Sequence, residues 1–121
     1  MRAKDRTGLI GEEQAAEFLR SHGHRVLERR WRTSTGELDL ITRDGDELVA
    51  VEVKARRGTG FGHPLEAVNA QKLHRLHRLL AEYAATQESW PAERRVDVIG
   101  VLLGPHRGRG SESVIEHLKD L

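Results

Sequence analysis

The sequence predicts an α/β fold: one domain spanning residues 1–121, a mixed central sheet with helices packed on it, in the order α-β-β-β-α-β-β. Three observations carry this expectation. Apolar residues recur at helical spacing near the N-terminus and again after Asn69. GELDLITRDGDELVAVEVKARR, residues 36–57, sets two apolar runs around a polar turn. RRVDVIGVLL, residues 94–103, is apolar enough for a strand buried on both faces. A chain of 121 residues builds one core, and 37% hydrophobic with 32% charged residues is the balance of an ordinary globular domain.

Each element has its own warrant. TGLIGEEQAAEFLRSHG, 7–23, reads as a helix that Thr7 caps and Gly23 closes, with Glu12 and Glu13 early and Ala15, Phe18 and Leu19 as its stripe. VLERRW, 26–31, is a short polar strand suited to a sheet edge, and TSTG, 33–36, turns the chain. Glu37–Arg43 and Glu47–Lys54 then form a hairpin around Asp44-Gly45. ARRGTGFGHP, 55–64, is a loop. Asn69 caps a second helix reaching about Thr86, with Leu73, Leu76, Leu80 and Tyr83 on one face and Lys72, Arg75, Arg78 and Glu82 opposite. Trp90-Pro91 breaks that pattern; 94–103 is the buried strand, GPHRGRGS a turn, and ESVIEHL, 112–118, a last strand.

Composition excludes several chemistries. There is no cysteine, so disulfides, thiolate metal sites and cysteine nucleophiles are out, which suits a cytoplasmic protein. MRAKDRTGLIGEEQ has no apolar core of a signal peptide, and the longest apolar run, VIGVLL, is far short of a membrane span. No phosphate-binding glycine loop is present, and Ser34 and Ser111 have no base in sequence reach. His74 and His77 lie three apart on a helix without a third zinc ligand, and Asp97, inside an apolar strand, is expected to pair locally. Net charge is only +1, but basic residues gather at 29–32, 54–57, 72–78 and 107–109 around an acidic hairpin. A polyanion-binding surface with a metal-holding centre fits that distribution, as does a solvated surface of mixed charge.

The hairpin concentrates the acids. With a two-residue turn at Asp44-Gly45, Arg43 faces Asp46, Asp39 faces Ala50, and Glu37 faces Glu52. Alternation then puts Glu37, Asp39, Glu52 and Lys54 on one face, while Val49, Val51 and Val53 share the other. Asp39 and Glu52 become diagonal neighbours, about 7–8 Å apart along the backbone. Two carboxylates at that separation call for a cation, either Lys54 or a divalent ion, and oxygen-only ligands suit Mg²⁺ or Mn²⁺. Acids on a solvated strand face, paired with nearby arginines, would produce the same pattern.

GEE at 11–13, GELDLI at 36–41, VEVKAR at 51–56 and PLEAV at 64–68 resemble, in order and spacing, the YraN-type family of bacterial proteins. The resemblance runs from about Gly8 to about Leu103 and implies a restriction-endonuclease-like domain of the PD-(D/E)xK group, similar in organisation to archaeal Holliday junction resolvases. Position by position it implies Asp39, Glu52 and Lys54 as the catalytic set. Glu12 then stands for the helix glutamate that joins the metal. Leu38 stands where the group's proline would be; leucine suits a mid-strand position better. The implied chemistry is metal-dependent phosphodiester hydrolysis. Mg²⁺ or Mn²⁺ would be held by Asp39, Glu52, the Val53 carbonyl and Glu12, with Lys54 orienting water or stabilising the transition state.

Gln71, Lys72, Arg75 and Arg78 on the second helix, and Arg56 and Arg57 beside the glycine-rich loop, would then contact phosphates of DNA, branched or single-stranded. Each has an equally simple reading as a solvated surface cation. The resolvase resemblance also implies a homodimer. Two other readings stay open: a non-catalytic nucleic-acid-binding or adaptor module that retains the fold, and a protein-interaction domain with no nucleic-acid role.

Overall fold

The computed structural model describes residues 3–57, 68–87, 93–104 and 113–121. Segment 58–67, with the glycine-rich loop and most of PLEAV, lies outside the described residues, as do Trp90-Pro91 and the turn 105–111 with Arg107 and Arg109. The elements follow the expected order: α1 (Ala3–Ser21), β1 (Arg25–Thr33), β2 (Gly36–Asp44), β3 (Glu47–Arg57), α2 (Ala70–Ala85), β4 (Arg94–Leu103) and β5 (Val114–Leu118). They form one five-stranded sheet in the spatial order β1-β2-β3-β4-β5. Only β3 and β4 are parallel, joined by a crossover through α2, so the sheet is mixed and β1 is an edge strand as expected.

β3 explains the layering. Val49 and Val51 point into a cluster with Ala15, Ala16 and Leu19 of α1 and Ile99 and Val101 of β4. Leu48 and Ala50 point the other way, into a cluster with Leu76, Leu79, Leu80 and Tyr83 of α2. Period-two alternation thus gives each helix its own half of the core. The stripe of α2 matches the sequence reading, with Asn69 Oδ1 accepting the Lys72 N–H at 2.8 Å as the cap.

α1 departs from the reading at its start. It begins at Ala3, so Thr7 lies inside the helix and caps nothing; its hydroxyl accepts from Arg57 Nε at 3.0 Å. Its end is as expected. His24 N–H donates to Leu19 O and Gly23 N–H to Arg20 O, the paired closure of a helix ending through glycine. In its third turn the helix touches β3 so closely that a Cβ on Gly11 would run into the Cβ of Ala55.

The hairpin register is corrected by two residues. Asp44 pairs with Glu47, Arg43 with Leu48, and Ile41 with Ala50, so the turn is Gly45-Asp46. The reason is backbone chemistry: Gly45 has φ of 61°, and a hairpin turn with glycine first keeps its left-handed residue at the first central position. Asp39 therefore does not face Ala50, nor Glu37 Glu52. Glu37 lies opposite Arg32 of β1 and takes its guanidinium at 2.7 Å. The shift is even, so Glu52 and Lys54 keep the face read from the sequence, but β2 breaks its alternation: Leu38 packs in the α2 cluster and Leu40 in the α1 cluster.

At the other end of these strands a polar network is buried. Arg95 Nε meets Asp97 at 3.0 Å, and its two terminal nitrogens reach Glu47 at 2.7 Å and Asp44 at 2.9 Å. His117 of β5 lies 2.7 Å from Asp97, and the Asp120 N–H donates to the same carboxylate at 3.1 Å. Burial raises the Asp97 pKa, but the bonds from His117, Arg95 and Asp120 outweigh it and hold the carboxylate below its ordinary range. Asp97 pairs locally, as the sequence suggested. Among the described residues no helix is long and apolar enough to cross a membrane.

Two substitutions test this architecture by urea unfolding. Gly11→Ala should cost about 1–3 kcal/mol through overpacking, and adding Ala55→Gly should return part of that loss. Arg95→Met should cost about 3–5 kcal/mol, because it leaves the fully buried Asp97 charge without its main partner.

Candidate metal and nucleic-acid site

The β2–β3 ladder runs from Asp44–Glu47 to Leu40–Val51. One residue further, the backbone pairing gives way to a side chain: the Val53 N–H donates to Asp39 Oδ2 at 2.9 Å. The strands part there, and Asp39 and Glu52 are left together in the opening. Burial first, and repulsion from Glu52 second, push the Asp39 carboxyl up to about 8, although the Val53 N–H pulls the other way. With its carboxyl near 8, Asp39 therefore holds a proton through neutral pH.

Glu52 interrupts the inward series Leu48, Ala50, Glu52 on the α2 side of β3 and is buried. It has a resident partner there. Lys72 Nζ, from the first turn of α2, lies 2.5 Å from Glu52 Oε2. Lys54 follows two residues after Glu52 on the same face, half-buried, with no ion-pair partner among the described residues.

Glu12 is held apart from the pair. Arg30 Nε of β1 donates to Glu12 Oε1 at 2.9 Å, although the charge of Glu12 still adds to the rise at Asp39. The hydrogen bond that Arg30 donates to Glu12 is the main reason its pKa is raised, with smaller contributions from Glu37 and Asp39. Arg30 has φ of 51°, a left-handed conformation that a non-glycine residue rarely adopts. Among the described residues no three His, Cys, Asp or Glu side chains form a group able to hold a metal. The candidate ligands brought together are thus Asp39 and Glu52, with Val53 between them and Lys54, while Glu12 stands at the margin.

The expected phosphate contacts lie around this opening. Arg56 and Arg57 are exposed at the end of β3, and Gln71 and Arg75 are exposed on α2. Lys72 is not among the solvated cations, because it is engaged on Glu52. Two participants escaped the sequence reading: Arg30, and the pairing of Lys72 with Glu52. A signal existed for the second. Lys72 stands in a helix first turn without any acid, the end at which a positive charge is disfavoured.

Comparison with known proteins is consistent across the chain. The model of "Uncharacterised protein family UPF0102" matches residues 11–101. A UPF0102 protein of Arthrobacter sp. (strain FB24) is 49% identical over 119 residues, covering 98% of each chain. One of Beutenbergia cavernae is 48% identical over 119 residues with the same coverage, and one of Nocardia farcinica is 47% identical over 116 residues, covering 96% of this chain and 88% of its own.

The raised Asp39 pKa has a consequence for stability. The unfolded carboxyl titrates near 3.8 and the folded one near 8, so between these values the folded chain keeps a proton that the unfolded chain releases. Stability should fall as pH rises through that window. Asp39→Asn removes the cost while keeping an acceptor for Val53. In the metal-free protein it should raise the melting temperature by a few °C at pH 8 and leave it unchanged near pH 4, as read by circular dichroism.

Proposed function

The chain belongs to the UPF0102 family, and from that premise and the geometry at Asp39 and Glu52 we propose a divalent-metal-dependent endonuclease that hydrolyses phosphodiester bonds in DNA. The observation that carries this reading is the Asp39–Glu52 carboxyl pair, held in an opening of the sheet with lysines on two sides. An acid pair whose closeness pushes Asp39 toward its protonated form is a donor set that a hard divalent cation satisfies. With oxygen donors only, Mg²⁺ or Mn²⁺ fits, held by Asp39, Glu52 and the Val53 carbonyl, the remaining positions being left to water and phosphate. Glu12 would join only on release from Arg30.

When bound, the cation acidifies a water and offsets charge on the phosphoryl oxygens. The protein's own groups do the rest. Asp39 gives up its proton and, with Glu52, presents paired oxygens. Lys54 donates hydrogen bonds toward the attacking water and the developing charge on phosphorus-bound oxygen. Arg56, Arg57, Gln71 and Arg75 hold the phosphate backbone on either side of the opening, contacts that position a strand without reading its bases. The resemblance to junction resolvases supports branched or otherwise structured DNA as the preferred substrate and a homodimer as the working form.

The same ion pairs favour one rival. With Lys72 on Glu52 and Arg30 on Glu12, the acids are already neutralised, as in a nucleic-acid-binding module that keeps the fold without turnover. Labelled single-stranded, duplex, flap and four-way-junction DNA, incubated with the protein and Mg²⁺ or Mn²⁺, separates the two. Cleavage should require metal and fall by about 10²-fold or more in Asp39→Ala and in Lys54→Ala. Binding without cleavage, unaltered in both variants, would establish the rival.

A further inference from the structure

Lys72 is placed where its own helix gains nothing from it. It occupies the third position of α2, where the dipole and the unpaired N–H groups favour an acid, and that first turn contains none. Its backbone is pinned there, since the Asn69 side chain accepts the Lys72 N–H. Its ammonium group crosses to the sheet and rests on Glu52, which is buried while Lys72 keeps about a third of its side chain exposed, 32%. A local choice that opposes the helix and serves a site marks function rather than packing. On the exposed side of α2, Arg75 lies one turn further on, its aliphatic chain passing close to Gly36 at the start of β2.

We propose that Lys72 is a displaceable internal counter-ion, which neutralises Glu52 in the free protein and transfers to a phosphate of bound DNA when a divalent cation takes its place. The inference rests on the metal-site reading of Asp39 and Glu52 and adds an order of events to it. A lysine suits the role: its point charge sits on a flexible stem, whereas an arginine fork would lock to the carboxylate. The motion required is a change of side-chain rotamers, with the helix start fixed by Asn69. Because one ammonium cannot satisfy Glu52 and a phosphate together, metal and DNA each favour the state the other binds. Their affinities are then linked reciprocally.

The test uses the full-length protein freed of metal. Mn²⁺ is titrated into wild type, Lys72→Met and Lys72→Arg, and the free ion is followed by its electron paramagnetic resonance signal. Removal of the competing cation should tighten Mn²⁺ binding in Lys72→Met by about 10-fold, with Lys72→Arg at or below wild-type affinity. Affinity for a labelled duplex at low salt is then read by fluorescence anisotropy, in EDTA and in Ca²⁺. Divalent ion should raise wild-type DNA affinity several-fold, and Lys72→Met should lose most of that rise. Equal or weaker Mn²⁺ binding in a folded Lys72→Met protein overturns the counter-ion role alone. Lys72→Gln replaces it if the methionine variant does not fold. Absence of Mn²⁺ binding from wild type and variants alike overturns the metal-site reading and this inference with it.

Discussion

Everything in this fold is arranged around a strand that is buried on both faces. β3 is paired on one side with β2 and on the other with β4, and it packs against α1 with its valines and against α2 with Leu48 and Ala50. A strand so enclosed has no solvent face on which to put a charge. Glu52 breaks that rule, and the surroundings answer it: Lys72 reaches across from α2, Asp39 beside it is pushed toward its protonated form, and the hairpin opens there. An apolar residue at position 52 would continue the inward series without any of these devices. Their presence together is what separates the site from an ordinary strand end.

The other face of the sheet shows what a purely structural answer looks like. Asp97 is fully buried too, yet Arg95, His117 and the Asp120 N–H satisfy it with short, directional contacts, and its pKa falls. Asp39, with one backbone donor and a second acid beside it, moves upward instead. Two aspartates on the strands that flank β3 are thus driven in opposite directions by how completely they are partnered. A group left short of partners at a cost in stability is the one that has room for a ligand.

Most of the architecture was legible in the sequence because it rests on periodicity. Alternation in 47–54 and the leucine spacing of 73–80 are properties of the residues alone, and they set strand faces and helix stripe before any contact forms. The hairpin register was missed by two residues because Asp-Gly can serve as the turn itself or bring glycine into its first position, and only the Gly45 backbone decides. The start of α1 was placed late because Thr7, a good capping residue, stands in its second turn and bonds to Arg57 instead. Of the candidate site, Glu52 and Lys54 followed from facing, since parity survives an even register shift. Two features did not follow: the Arg30–Glu12 contact, which depends on a left-handed backbone, and the Lys72–Glu52 contact, which depends on how α2 crosses the sheet.

The single parallel pairing imposes a sequence of assembly on the molecule. β2 and β3 meet through a two-residue turn, so Asp39 and Glu52 are neighbours as soon as the hairpin closes, an event of about 1–10 μs. Leu48, by contrast, pairs with Arg94, and the chain between must form α2 and cross the sheet before β4 can dock. Contacts of such separation carry a larger loop-closure cost and set the rate of folding. The two acids therefore spend the early life of each newly made chain facing one another without Lys72. Only when the helix has crossed the sheet does its ammonium reach Glu52.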